Sequence, residues 1–142
     1  MNPSMPPADP DRPAHPTLLI ADDDPVVRSA LSMALQHQFD IVGVVADSDA
    51  AIEAAREVHP QVALVDVQMP GGGGRSAVRG LAEVSPDTAI VVLSGDESDG
   101  LVRELMIAGA MTYVRKGIAP HQLADVLFRS LQARTLSETA AG

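Results

Sequence analysis

Five short apolar runs alternate with five amphipathic stretches along this chain, and that alternation leaves few folds open. The runs are Thr17–Ala21 (β1), Ile41–Val45 (β2), Val62–Val65 (β3), Ala89–Leu93 (β4) and Met111–Arg115 (β5). Most are rich in Val, Ile and Leu, which at this length suits strands buried on both faces. Between them apolar residues recur at helical spacing. Val27, Ala30, Leu31, Ala34 and Leu35 mark a helix after β1. Asp49–Val58 (α2) carries Ile52, Ala55 and Arg56 on successive turns and stops at Pro60. Ser76–Val84 (α3) is short, weakened by Gly80 and closed by Pro86. Ser98 caps the next helix (α4, Ser98 to Gly109), whose apolar set is Leu101, Val102, Leu105 and Met106. Pro120 opens the last helix (α5, Pro120 to Arg134), which buries Leu123, Val126, Leu127 and Leu131. Strict strand–helix alternation predicts an α/β fold, with a doubly wound five-stranded parallel sheet, right-handed crossovers and helices on both faces.

The chain's 142 residues make one domain. Its hydrophobic fraction of 46% supports a core, and with two Phe, one Tyr and no Trp that core is aliphatic. Six prolines between Pro3 and Pro16 predict a disordered leader over residues 1–16. The folded span is then 17–134, and 135–142 is a small polar tail or the start of a linker. A net charge of −9 argues against direct binding to nucleic acid, which needs clustered Lys and Arg. With no cysteine there is neither a disulfide framework nor a thiolate metal site. No run reaches membrane-spanning length and the start lacks the regions of a signal peptide, so the expected location is cytoplasmic.

Four strands end in residues able to do chemistry. β1 runs into Asp22-Asp23-Asp24-Pro25. Asp24 suits a helix cap and Pro25 the first helical position. That leaves Asp22 and Asp23, two carboxylates that repel each other unless a cation lies between them. β3 runs into Asp66, followed by Met69-Pro70 and four glycines, Gly71 to Gly74, which stop the strand and make a mobile loop. β4 leads to Ser94-Gly95-Asp96, and β5 to Lys116-Gly117. In a parallel sheet these ends share one edge, the edge where open α/β sheets bind ligands. Singly, each residue has a plain explanation as a turn aspartate, a cap serine or a solvated lysine. Together they form a pocket of three carboxylates, a hydroxyl and an ammonium. Such an oxygen-rich site suits Mg2+. A metal and a lysine around a carboxylate equip it for phosphoryl transfer to that carboxylate.

The chain resembles a response-regulator receiver domain of bacterial two-component signalling. The residues that carry the likeness are Asp22-Asp23-Asp24-Pro25, Asp66-Val67-Gln68-Met69-Pro70 with the glycines, Val92-Leu93-Ser94-Gly95, and Gly109 to Lys116, in order over Thr17 to Arg134. The resemblance implies the flavodoxin-like strand order 2-1-3-4-5. It implies that Asp66 accepts a phosphoryl group from a histidine kinase or phosphotransfer protein. Asp23, Asp66 and the main-chain carbonyl of Gln68 would bind Mg2+, with Asp22 helping through water. Ser94 and Lys116 would hold the phosphoryl oxygens, and Tyr113 would be an aromatic switch that follows Ser94. Gln68 and Asp96 fall at positions that tune dephosphorylation, with Asp96 expected to slow phosphoryl loss. The changed surface would be α4, β5 and α5, controlling an effector domain or downstream protein, with a homodimer through that surface as one outcome. The family often has proline after the lysine, joined by a cis bond. Gly117 stands there instead, so a trans bond is expected.

Particular residues argue against two other classes. A haloacid-dehalogenase-type phosphatase also uses an aspartate nucleophile, but it needs a second aspartate where this chain has Gln68. A P-loop needs a lysine before the serine, and here Arg75 precedes Ser76. A receiver-like interaction module working without phosphorylation is the remaining alternative. The residues do not distinguish a stand-alone receiver from part of a longer regulator.

Overall fold

A computed structural model describes residues 15–95 and 99–141. The expected leader up to residue 14, Asp96, the Ser98 cap and Gly142 lie outside the described residues. The elements alternate as β1 (Thr17–Ala21), α1 (Pro25–Leu35), β2 (Asp40–Val45), α2 (Ser48–Val58), β3 (Val62–Asp66), α3 (Gly73–Val84), β4 (Ala89–Ser94), α4 (Asp99–Ala108), β5 (Thr112–Arg115) and α5 (Pro120–Ala141). All strand pairs are parallel and the order is β2-β1-β3-β4-β5, so the doubly wound α/β reading and its flavodoxin-like order hold.

Alternation along the strands divides the core in two. Leu19, Ala21, Ala63, Val65, Ile90 and Val92 pack against Ala51 and Ala55 of α2, Ala77, Val78 and Leu81 of α3, and Leu105 of α4. Leu18, Ile20, Val62, Leu64, Val91 and Leu93 face Leu35 of α1 and Leu123 and Leu127 of α5. Phe39, between α1 and β2, fills this second half and stacks on Phe128 at 4.7 Å between ring centroids. Its burial has no periodic signal, because it lies outside any helix or strand.

Several boundaries and faces differ from those read in the sequence. Ala30 is exposed, and α1 gives the core Leu35 with Leu31 and Ala34 partly buried. Arg56 is also exposed, paired with Glu53 on the outer face of α2. The helix α3 begins three residues before Ser76, inside the glycine run. Gly80 fits a close helix crossing, since a Cβ there would lie 2.3 Å from Ile52 Cδ1. The backbone of α5 stays helical to Ala141 where a tail was expected, because no proline or glycine interrupts 121–141. No helix among the described residues is long and apolar enough to cross a membrane.

Candidate functional site

The edge at the carboxyl ends of the strands gathers the expected residues. Asp66 is the last residue of β3, the central strand, and is fully buried. Asp22 follows β1 on the neighbouring strand and is also fully buried, while Asp23 is exposed. Carboxylate oxygens of Asp22, Asp23 and Asp66 all lie within 4.8 Å of one another.

Local hydrogen bonds fix this arrangement. The Asp22 N–H donates to the Val45 carbonyl at 3.0 Å, which anchors the turn to β2. Asp22 Oδ1 accepts from the Asp24 N–H at 2.9 Å, and Asp24 Oδ1 accepts from the Val26 N–H at 2.8 Å. Asp24 is thus the cap and Pro25 opens α1, as read. One residue was missed: Arg28 Nη1 donates to the Asp22 carbonyl at 2.8 Å. The only hint in the sequence is a single cation one turn after three acids.

Lys116 follows β5, and its Nζ lies 2.9 Å from Asp66 Oδ1. The same oxygen accepts from the Gln68 N–H at 3.2 Å. The Lys116 N–H donates to the Ser94 carbonyl at 2.8 Å, which ties the ends of β4 and β5 together. Ser94 is buried at the end of β4. Tyr113 sits on β5 with 47% of its surface exposed. No peptide bond is cis among the described residues, and Gly117 takes a φ of 90°, which proline cannot adopt.

Charge in the site is unbalanced. Burial pushes the Asp22 carboxyl above its ordinary range, and repulsion from Asp66 and Asp23 adds to this against the Asp24 N–H and Lys116. Burial pulls the Lys116 ammonium down, but its hydrogen bond to Asp66 and attraction to Asp66, Asp22 and Asp23 outweigh that and raise it. Asp22 Oδ2 and Asp66 Oδ2 are buried with no hydrogen-bond partner. A buried carboxylate oxygen without a partner is costly, and a hard cation bound between such oxygens would remove the cost. The donor set, all oxygen, fits Mg2+.

The glycine loop frames the site through its shape. Gly71, Gly72 and Gly73 have φ of 85°, 104° and 75°, the left-handed region that favours glycine. The Gly74 N–H donates to the Val67 carbonyl at 2.7 Å, and a Cβ on Gly74 would lie 2.7 Å from Val67 Cα. The loop folds back on the peptide just after Asp66.

Comparison with known proteins agrees with this geometry. The family model described as "Response regulator receiver domain" matches residues 18–128. The response regulator GacA of Pseudomonas aeruginosa is 34% identical over 112 residues, which is 78% of this chain and 52% of that protein. The chain therefore spans about half the length of the curated relatives it matches. Among solved structures, the receiver domain of the putative response regulator NarL from Mycobacterium tuberculosis superposes with a TM-score of 0.80 at 23% identity, covering 84% of this chain and 98% of that one. The receiver domain of a sensor histidine kinase from Pseudomonas aeruginosa PAO1, solved with magnesium in its active site cleft, gives a TM-score of 0.75 at 24% identity over 84% of this chain and 99% of that one.

Proposed function

This chain belongs to the response regulator receiver family, the signalling domains of two-component systems, and we propose that Asp66 is its phosphoacceptor. The observation that carries this is the convergence on Asp66 of two further carboxylates and the Lys116 ammonium, with two buried oxygens left unpartnered. In the proposed reaction an Asp66 carboxylate oxygen forms a bond to phosphorus while the phosphorus–nitrogen bond of a donor phosphohistidine breaks. The electron pair of that bond leaves with the imidazole. Lys116, already on Asp66 Oδ1, offers its charge to the phosphoryl oxygens, and the Ser94 hydroxyl binds another of them. Asp23, Asp66 and the Gln68 carbonyl would hold Mg2+, with Asp22 helping through water. When bound, the ion neutralises charge that develops on the transferring group.

The readout follows from the same geometry. A phosphoryl group adds about 1.5 to 2 negative charges, and drawing Ser94 toward it would pull on β4 and β5. Tyr113 on β5 exposes 47% of its surface, and Met106 and Ile107 on α4 expose 39% and 80% of theirs. The α4–β5–α5 surface is the proposed contact for a second copy, an effector domain or a downstream protein. Gln68, exposed beside the acceptor, is placed to tune phosphoryl loss; Asp96 is assigned the same role from the motif alone. The phosphoryl donor is a histidine kinase or phosphotransfer protein.

The test is intact-mass spectrometry after incubation with acetyl phosphate. The wild-type protein is expected to gain one phosphoryl mass in the presence of Mg2+ and none with EDTA, and Asp66→Asn is expected to gain none. A well-folded wild type that gains no mass under any condition would overturn the proposal and favour an interaction module that works without phosphorylation.

A further inference from the structure

We infer that Arg28 is a positioning residue for this site: it holds the Asp22–Asp23 peptide so that Asp23 stays poised against Asp66, and so sets the affinity for a divalent cation. The inference rests on the Mg2+ reading above. Asp23 is the exposed member of the carboxylate trio, and among the described residues its side chain has no hydrogen bond or ion pair. Its position is therefore set by its backbone. On one side Asp24 is held by its cap to Val26 and by the Arg28 N–H, which donates to the Asp24 carbonyl at 3.0 Å. On the other side, the carbonyl of the Asp22–Asp23 peptide accepts from Arg28 Nη1 at 2.8 Å. Arg28 thus holds the chain on either side of Asp23, Asp24 with its main chain and Asp22 with its side chain. A guanidinium donor to a carbonyl gives a strong, directed bond.

The second observation concerns where the guanidinium does not bind. Arg28 bonds the main-chain carbonyl of Asp22, a member of the carboxylate trio, yet among the described ion pairs it makes none with the three carboxylates. The guanidinium is spent on a main-chain carbonyl, and the Oδ2 atoms of Asp22 and Asp66 stay available to a metal. Residues that orient ligands without touching the metal commonly change affinity by tenfold or more when removed.

The test is a titration of the full chain with MgCl2, followed by the amide NMR signals of residues 22–24 and 66–68. In Arg28→Gln the dissociation constant for Mg2+ is expected to rise about tenfold, and the amide signals of Asp23 and Asp24 to shift in the metal-free protein. Arg28→Lys, which keeps the charge and one donor, is expected to fall between. At saturating Mg2+ the rate of adduct formation with acetyl phosphate in Arg28→Gln should return to near the wild-type rate. A purely structural role would lower the melting temperature and leave the Mg2+ constant unchanged, which would overturn the inference, as would tighter binding in Arg28→Gln. If Arg28→Gln does not fold, Arg28→Lys decides by the same criterion. A wild type that binds no Mg2+ would instead overturn the metal reading itself.

Discussion

At Asp22 stability and chemistry oppose each other. Its carboxyl is fully buried, one oxygen has no partner, and burial holds its affinity for protons above the ordinary value. A carboxyl raised in this way carries more proton in the folded chain than in the unfolded one. Its contribution therefore favours folding at low pH and is lost as pH rises from about 4, the unfolded value, through the higher folded value. At neutral pH the charged Asp22 costs the metal-free protein stability. Asp22→Asn keeps the acceptor for the Asp24 N–H and removes the charge. Without metal it is expected to melt about 3 °C above wild type at pH 7, with the gap closing below pH 4, while its affinity for Mg2+ falls. Scanning calorimetry in EDTA at both pH values checks this; a lower melting temperature at pH 7 would contradict it. Lys116 has the opposite sign: its raised value supports folding at neutral pH, and that support is lost only above its ordinary value of 10.5. The sequence shows these residues because strand ends in a parallel sheet must share an edge. It does not show Arg28, since a long side chain reaching back to a carbonyl leaves no periodic trace.

At the scale of elements, the glycine loop after Asp66 was read for mobility, and the structure gives it a geometric task. At Gly74 an added Cβ would meet backbone: Val67 Cα at 2.7 Å, the Val67 carbonyl at 3.0 Å and the Asp66 carbonyl at 3.1 Å. None of these can rotate away. Gly74→Ala is therefore expected to cost about 2 kcal/mol or more, measured by urea denaturation, and to slow labelling by acetyl phosphate. Gly80→Ala provides the contrast, because its Cβ meets side chain and not backbone, Ile52 Cδ1 at 2.3 Å and Cγ1 at 2.5 Å, which can shift, and it gains helix propensity of about 1 kcal/mol. A smaller loss at Gly74 than at Gly80 would contradict this account. The strand and helix order was legible throughout, from apolar runs punctuated by proline and glycine. Starts and ends were less so. The α3 start lies within glycines that propensity argues against, and α5 continues through small polar residues that only lack a breaker.

For the whole molecule, the five-strand order places three acidic side chains from β1 and β3 beside a lysine from β5, residues up to 94 positions apart in the chain, Asp22 to Lys116. The sheet packs between two helical layers, and Tyr113 and Ile107 are exposed. The long-range part of this was readable because alternation forces a parallel sheet. Phe39 and its stacking on Phe128 were not, because a buried ring in a turn follows no period. The central claim is that Asp66, of the three carboxylates, carries the phosphoryl group. The most direct measurement is to phosphorylate the chain with acetyl phosphate and Mg2+, trap it by borohydride reduction, which converts an aspartyl phosphate to homoserine, and locate that residue by peptide sequencing in the mass spectrometer. Homoserine at position 66 and at no other aspartate is the predicted result. Homoserine at position 22 or 23, with Asp66 intact, would contradict it.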